Sequence, residues 1–186
     1  MSIKYNSPVI LSFALICTAV FFVDKFLTGS IMGFFAVGTS INLADPLSIF
    51  SLFSHVIGHS SIQHLLGNLT FILLLGPIIE EKYSSRFTLF MIVITALITG
   101  ILNVTFFSTG LLGASGIVFM LILLVSFTNT EDGKIPLTFI LVALLFVGKE
   151  ILQILDSDQI SQFAHIIGGV CGSVFGFLGK RNNRVV

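Results

Sequence analysis

The chain has 186 residues, of which 55% are hydrophobic and only 10% are charged, and its mean hydropathy is +1.07. Soluble domains usually carry about a quarter charged residues, so this composition excludes an ordinary water-soluble domain. The formal net charge is zero, which leaves no global basic field that could attract nucleic acid. The two cysteines, Cys17 and Cys171, lie within apolar runs and are interpreted as packing residues.

Apolar runs separated by charged or turn-forming segments predict six transmembrane helices. They lie at residues 8–27, 63–80, 86–107, 113–128, 135–155 and 161–179. Most of these runs approach the roughly 20 residues that a helix needs to cross a hydrocarbon core. The first run has no convincing small-residue cleavage site before Asp24, so we interpret it as a retained span and not as a signal peptide. Residues 1–186 are predicted to form a single all-α transmembrane domain.

The connections between the predicted spans are of two kinds. Residues 28–62 are moderately apolar and rich in Gly and Ser, which predicts a membrane-associated amphipathic loop and not a seventh span. The other connections are short and polar, and the charged turn at 80–86 is expected to be solvated. Glu150, near one end of the fifth span, is a charge that this scheme does not explain.

The basic residues predict an orientation. With six spans, seven of the nine Lys and Arg residues fall on the side that holds both termini: Lys4, Lys82, Arg86, Lys134, Lys180, Arg181 and Arg184. Lys25 falls on the opposite side, and Lys149 lies within the fifth span. The positive-inside rule therefore predicts that both termini are cytoplasmic, as in a multi-pass protein of a prokaryotic inner membrane.

Four polar residues occupy similar depths in three of the predicted spans. The second span opens with His64 and Asn68, the fourth contains Ser115 near its start, and the sixth contains His165 near its start. These three spans run in the same direction, so all four side chains are expected in the outer part of the bilayer. Because polar side chains are costly in hydrocarbon, such residues are candidates for a functional site.

The residue types indicate nucleophilic catalysis. A serine hydroxyl needs a neighbouring base, and a neutral imidazole suits that role near neutral pH. Ser115 and His165 are therefore the predicted catalytic pair, and no carboxylate at matching depth suggests a third member. Fixed donors must stabilise the oxyanion that forms when a peptide carbonyl is attacked. We expect these donors to be His64, Asn68 and the backbone N–H of Ser115.

Small residues around the candidate site predict close helix packing. In the sixth span they recur every four residues, at Ala164, Gly168, Gly172 and Gly176. Such a stripe allows two helix backbones to approach closely. Gly113 and Gly116, on either side of Ser115, are expected to allow the same close approach in the fourth span.

These motifs resemble those of the rhomboid family of intramembrane serine proteases. HSSIQHLLGN at 59–68 is similar to the family's HxxxxHxxxN signature, GASG at 113–116 matches its nucleophile motif, and Ala164-His165 with the following glycines matches its partner helix. The resemblance implies a rhomboid-like bundle of six helices that needs no cofactor or metal. It also implies a Ser115–His165 dyad, assisted by His64 and Asn68. The implied substrates are transmembrane proteins, which enter laterally near the second and fifth helices.

Three positions depart from the family pattern. Many rhomboids carry a Trp-Arg pair in the first loop, where this chain has Phe50 and Ser51. A glycine that often follows the serine motif is replaced by Met120. We therefore expect the first loop to be anchored differently and the helix packing below the serine to differ.

Several alternatives stay open at this point. Ser115 could bond to a carbonyl of its own helix, and Asn68 could serve only to tie two helices together. For His55 and His59, hydrogen bonding within the first loop is favoured over direct chemistry. The chain could be a non-proteolytic rhomboid-like protein that binds transmembrane helices, or a small transporter or metal channel that uses its four histidines. Oligomeric state is not indicated.

Overall fold

The computed structural model describes residues 4–127, 134–154 and 159–182. Within these ranges there are seven α-helices and one short 3-10 helix, Met32–Phe35. The α-helices are α1 (Pro8–Phe26), α2 (Pro46–Ser54), α3 (Ile62–Tyr83), α4 (Ser85–Phe106), α5 (Ser115–Val125), α6 (Leu137–Ile154) and α7 (Gln159–Asn182). The all-α prediction is therefore confirmed.

Each predicted span has a helix, but not all of these helices have the length of a span. By length and composition, α1, α3, α4 and the segment 162–179 of α7 can cross a membrane. Helix α5 has only 11 residues, about 16 Å at 1.5 Å per residue. The count of six spans therefore stays a prediction. Most of the predicted loop at 129–134, the loop at 156–158, Arg184 and the side chains of Lys149 and Glu150 lie outside the described residues.

Helix α5 is the central element of the bundle. Eight of its eleven residues are buried, and it packs against α3, α4, α6 and most extensively α7. An all-apolar helix surface of this kind is typical of a helix that is surrounded by others. Because α5 begins at Ser115, the burial of this helix fixes the position of the candidate nucleophile.

The small-residue stripe of α7 packs directly on α5, as predicted. A Cβ atom added to Gly168 would lie 2.0 Å from the carbonyl oxygen of Gly116, and one added to Gly172 would lie 2.2 Å from that of Met120. The side chain of Met120 turns instead toward α4, where its sulfur accepts a hydrogen bond of 3.0 Å from the Thr95 hydroxyl. The substitution of glycine by methionine is thus compatible with close contact of the two backbones.

The prediction of a solvated turn at 80–86 is wrong for Glu80. This residue is buried, and its carboxylate accepts hydrogen bonds from the backbone N–H groups of Val9 at 3.0 Å and Ile10 at 2.9 Å. It also accepts one of 2.7 Å from the Ser85 hydroxyl. The first N–H groups of a helix have no intrahelical acceptor, so Glu80 completes the start of α1 and ties it to the junction of α3 and α4.

The first loop, residues 28–62, folds back on the bundle through hydrogen bonds. Val37 and Leu111 exchange two backbone bonds of 2.9 and 3.0 Å. Within the loop, the Ser54 hydroxyl donates to the carbonyl oxygen of Phe34 at 2.6 Å. Phe50, at the position where many rhomboids have Trp, meets the ring of Phe35 edge-on at 6.3 Å. The loop is therefore anchored by residues other than a Trp-Arg pair.

Candidate functional site

A cavity of about 650 Å³ brings the four predicted site residues together. Ser115, His165, His64 and Asn68 all line it, although they come from α5, α7 and α3. The rest of its wall comes from α3, α5 and the segments that precede these two helices, and comprises Ser60, Gln63, Gly67, Phe71, Gly110, Leu111, Leu112, Val118 and Phe119. The cavity therefore combines a few polar side chains with a mostly apolar wall, as ligand sites usually do.

Ser115 is presented by a tight turn that only glycine can make. Gly113 has φ +122°, a backbone conformation that residues with a side chain rarely adopt. A Cβ atom at this position would also lie 2.6 Å from the imidazole ring of His64. The N–H of Gly113 donates to the carbonyl oxygen of His55 at 2.9 Å. Gly113 thus holds the start of α5 between the first loop and His64.

The imidazole of His165 is stacked on an aromatic ring that the sequence analysis did not single out. The rings of His165 and Phe119 are nearly parallel, with an interplanar angle of 7° and centroids 4.2 Å apart. Phe119 lies four residues after Ser115, so both side chains project from the same face of α5. The spacing could have placed Phe119 on the serine's face of α5, but it carries no sign of the contact with His165 on α7. The stacking fixes the plane of the imidazole on the side of α5 that carries the serine.

Asn68 is oriented by His59. The Nδ1 atom of His59 lies 3.0 Å from the carbonyl oxygen of Ile57, so it must carry the proton. Its Nε2 atom is then an acceptor and receives a hydrogen bond of 3.0 Å from the Asn68 amide. Burial lowers the pKa of His59 from 6.5 to about 4, which keeps this tautomer neutral near pH 7. The loop hydrogen bonding predicted for His59 is confirmed, and the same ring also fixes the amide of a cavity residue.

His64 lies in the first turn of α3, where capping fixes the backbone. The Ser61 hydroxyl accepts a hydrogen bond of 3.1 Å from the His64 N–H, which is the usual role of serine at a helix start. The imidazole meets the ring of His59 edge-on at 5.0 Å, and its Nδ1 atom lies 3.4 Å from the Ser60 hydroxyl. Its ring is therefore enclosed by Ser60, His59 and Gly113 and borders the cavity.

His55 does not line the cavity. Its Nδ1 atom lies 3.3 Å from the carbonyl oxygen of Ser51, and its Nε2 atom lies 3.3 Å from the Thr99 hydroxyl of α4. Burial lowers its pKa from 6.5 to about 4. This confirms the predicted structural role, in which His55 joins α2 to α4. Among the described residues, no three His, Cys, Asp or Glu side chains group as metal ligands would.

Comparison with known proteins gives two findings. A family model described as the Rhomboid domain matches residues 46–182. The Rhomboid protease GlpG of Haemophilus influenzae is 25% identical over 136 residues, which are 72% of this chain and 71% of that protein. The matched range contains every residue that lines the cavity.

Proposed function

Because the chain belongs to the rhomboid family, we propose that it is an intramembrane serine protease that hydrolyses peptide bonds in or near transmembrane segments of other membrane proteins. It is an integral membrane protein, and its family and its relative support intramembrane protease activity in general. One observation carries the specific proposal: Ser115, His165, His64 and Asn68, which are far apart in sequence, line one cavity. In the proposal, Ser115 is the nucleophile, His165 is the base, and His64 and Asn68 are hydrogen-bond donors.

In the proposed reaction the Ser115 hydroxyl attacks the carbonyl carbon of the scissile bond. His165 takes the hydroxyl proton as a general base and then gives it to the leaving amine, which breaks the C–N bond and leaves an acyl-enzyme. Water then attacks the ester carbonyl, and His165 takes a proton from that water and gives it to the Ser115 oxygen, which breaks the ester bond and releases the carboxylic acid. No Asp or Glu is among the described residues that line the cavity, which favours a dyad. Stacking on Phe119 supplies the orientation that an acid supplies in a triad.

Three donors are proposed for the oxyanion. Ser115 is the first residue of α5, and the N–H groups of a helix start have no intrahelical acceptors and carry the positive end of the helix dipole. The Asn68 amide gives one hydrogen to His59, which leaves the second for the cavity. His64 contributes a ring N–H. Fixed donors of this kind need no reorganisation when charge develops.

The proposed location is a prokaryotic inner membrane with both termini in the cytoplasm. Seven of the nine Lys and Arg residues on the side of the termini support this orientation. The cavity would then open near the outer face. The proposed substrates are other transmembrane proteins, which a cleavage assay across candidate membrane proteins would identify.

The test compares wild type with Ser115→Ala and His165→Ala on a reconstituted transmembrane substrate. Each variant is expected to lose more than about a thousandfold in cleavage rate, as triad variants of serine proteases do. Ser126→Ala is a matched control, because Ser126 also lies at an end of α5 and, among the described residues, its hydroxyl bonds to the Ile122 carbonyl oxygen at 3.3 Å. Equal cleavage by wild type and Ser115→Ala would refute the proposal.

The same preparation separates the alternatives. A mechanism-based serine inhibitor is expected to label Ser115 in wild type and not in Ser115→Ala. Substrate binding without cleavage and without labelling would instead identify a non-proteolytic rhomboid-like protein. Metal-dependent flux in liposomes that histidine substitution abolishes and Ser115→Ala does not would identify a transporter.

A further inference from the structure

A second cavity is separate from the candidate active site. It is an apolar groove of about 530 Å³ between α1, α2 and α4, with the segment after α2. It shares no lining residue with the candidate active site. Its volume is within the range of roughly 300–1,000 Å³ typical of small-molecule sites. The residues on its rim, including Ile16, Phe50, Leu89 and Val93, are exposed on the face of the bundle.

The groove continues into a polar cavity at the start of α1. This cavity of about 460 Å³ is lined by Lys4, Tyr5, Glu81 and others, and Pro8 lines both cavities. The Tyr5 hydroxyl lies within hydrogen-bond distance, 3.1 Å, of the hydroxyl of Ser12, which lines the groove. An apolar groove therefore ends at polar groups where α1 begins, and a tyrosine at such a boundary is typical of a membrane interface.

The polar cavity offers charges of both signs. Glu80 also lines it, but its carboxylate is occupied by Val9, Ile10 and Ser85. Lys4 and Glu81 are both exposed, and neither has an ion-pair partner within the described ranges. A ligand that carries only negative charge would meet Lys4 favourably and the two glutamates unfavourably. A zwitterion can satisfy both exposed residues.

We propose that the groove and the polar cavity together bind one zwitterionic phospholipid whose headgroup has a primary ammonium. One acyl chain lies in the groove, the phosphate contacts Lys4, and the ammonium contacts Glu81. A primary ammonium has three N–H donors for a carboxylate, whereas a quaternary ammonium has none. The site does not involve the cavity of the proposed protease, so it holds or fails independently of the proposed function.

The headgroup is tested by native mass spectrometry of the delipidated full-length protein in detergent. Phosphatidylethanolamine, phosphatidylcholine and phosphatidylglycerol with identical acyl chains are the probes. Phosphatidylethanolamine is expected to bind about two- to fivefold more tightly than the other two, the range for one exposed ion pair. Glu81→Gln should abolish its advantage over phosphatidylcholine, and Lys4→Gln should weaken binding of all three. Arg86→Gln, which neutralises an exposed cation outside the cavity, is the control and should change nothing.

The groove is tested by filling it. Val93 lines the groove and is 38% exposed, so Val93→Trp can enter it from the open side without disturbing the core. Ile98→Trp, on the same helix at 36% exposure and outside the groove, is the matched control. We expect Val93→Trp to weaken phosphatidylethanolamine binding at least about tenfold and Ile98→Trp to leave it unchanged. Leu89→Trp is a second groove variant should Val93→Trp fold poorly.

Three results would overturn the proposal. Tightest binding of phosphatidylglycerol would indicate an anion site, and equal binding of all three lipids in wild type would leave no headgroup recognition. Equal loss with the Val93 and Ile98 variants would mean that the acyl chain does not occupy the groove. None of these readouts uses proteolysis, so they do not depend on whether Ser115 is catalytic.

Discussion

The contact between α5 and α7 and the contact between the first loop and the bundle are held by different means. In the first, small residues let two backbones touch: a Cβ at Gly168 would lie 2.0 Å from the Gly116 carbonyl oxygen. In the second, hydrogen bonds join polar groups, such as the Gly113 N–H and the His55 carbonyl oxygen at 2.9 Å. Ser115 and His165 lie on the two helices of the first contact. The second contact includes His59, which orients the amide of Asn68.

The difference follows from what each contact has to position. Ser115 lies on α5 and His165 on α7, and glycine at the crossing lets the backbones of these two helices approach as closely as backbones allow. The first loop has irregular backbone, whose N–H and C=O groups need partners wherever water is excluded. The first contact should therefore fail through steric overlap, and the second through loss of hydrogen bonds or protonation.

The largest effect is expected from Gly168→Ala. The new methyl group would overlap the Gly116 backbone, which cannot move away as a flexible side chain could, so the helices must separate. We expect a loss of about 3 kcal/mol in the free energy of unfolding, the upper part of the usual range for overpacking, and loss of cleavage. Thermal unfolding in detergent measures the loss of stability.

Gly169→Ala is the matched control on the next residue of α7. A Cβ there would meet only the Leu123 side chain at an ordinary 3.7 Å, and alanine favours the helix by up to about 1 kcal/mol. Equal destabilisation by both variants would mean that α5 and α7 are not in backbone contact.

A pH-dependent loss of stability is expected from the first loop. His55 and His59 have pKa values of about 4 in the folded protein and 6.5 when unperturbed. Between these values the unfolded chain binds protons that the folded chain does not, so stability falls as pH is lowered from 6.5 to 4. The midpoint temperature of thermal unfolding should decrease as the pH is lowered across that window. In the double variant His55→Gln/His59→Gln this decrease should be smaller. An identical slope in both proteins would contradict the assignment of these histidines.

Phe119→Leu should affect cleavage more than stability. Loss of the ring that stacks on His165 removes a contact worth roughly 0.5–1.5 kcal/mol for aromatic pairs, so kcat is expected to fall about three- to tenfold. Phe119→Tyr keeps the ring and should retain the wild-type rate. An equal fall in both variants would show that stacking is not what orients the imidazole.

The smallest effect is expected from Ser54→Ala. The variant removes the hydroxyl that bonds to Phe34 and leaves the carbonyl oxygen without that donor, which should cost about 1 kcal/mol in the free energy of unfolding. Ser40→Ala, at an exposed position of the same loop, should change stability by less than about 0.5 kcal/mol. A Ser54 variant as stable as the Ser40 variant would mean that the loop is held by its apolar contacts.

The sequence by itself indicated the membrane class, the helices that form in its apolar runs, and four of the residues that line the candidate site. Apolar runs reveal spans because a backbone in hydrocarbon must satisfy its own hydrogen bonds as a helix. Ser115, His165, His64 and Asn68 could be singled out because polar side chains are rare in such runs. The small residues from Ala164 to Gly176 indicated a close helix contact because they recur at a regular spacing of four residues.

Only the tertiary structure decided which side chains support those residues. The burial of Glu80 at the start of α1, the bond from Asn68 to His59 and the stacking of Phe119 on His165 each join chain segments whose relative positions depend on the whole bundle. Glu80 lies in a charged stretch and Phe119 in an apolar one, so their own surroundings in the sequence predict only a solvated turn and a packing residue. Glu80 lies 70 residues from Ile10 in the chain, Phe119 and His165 lie on different helices, and His59 lies in the first loop. Local periodicity carries no information about such contacts.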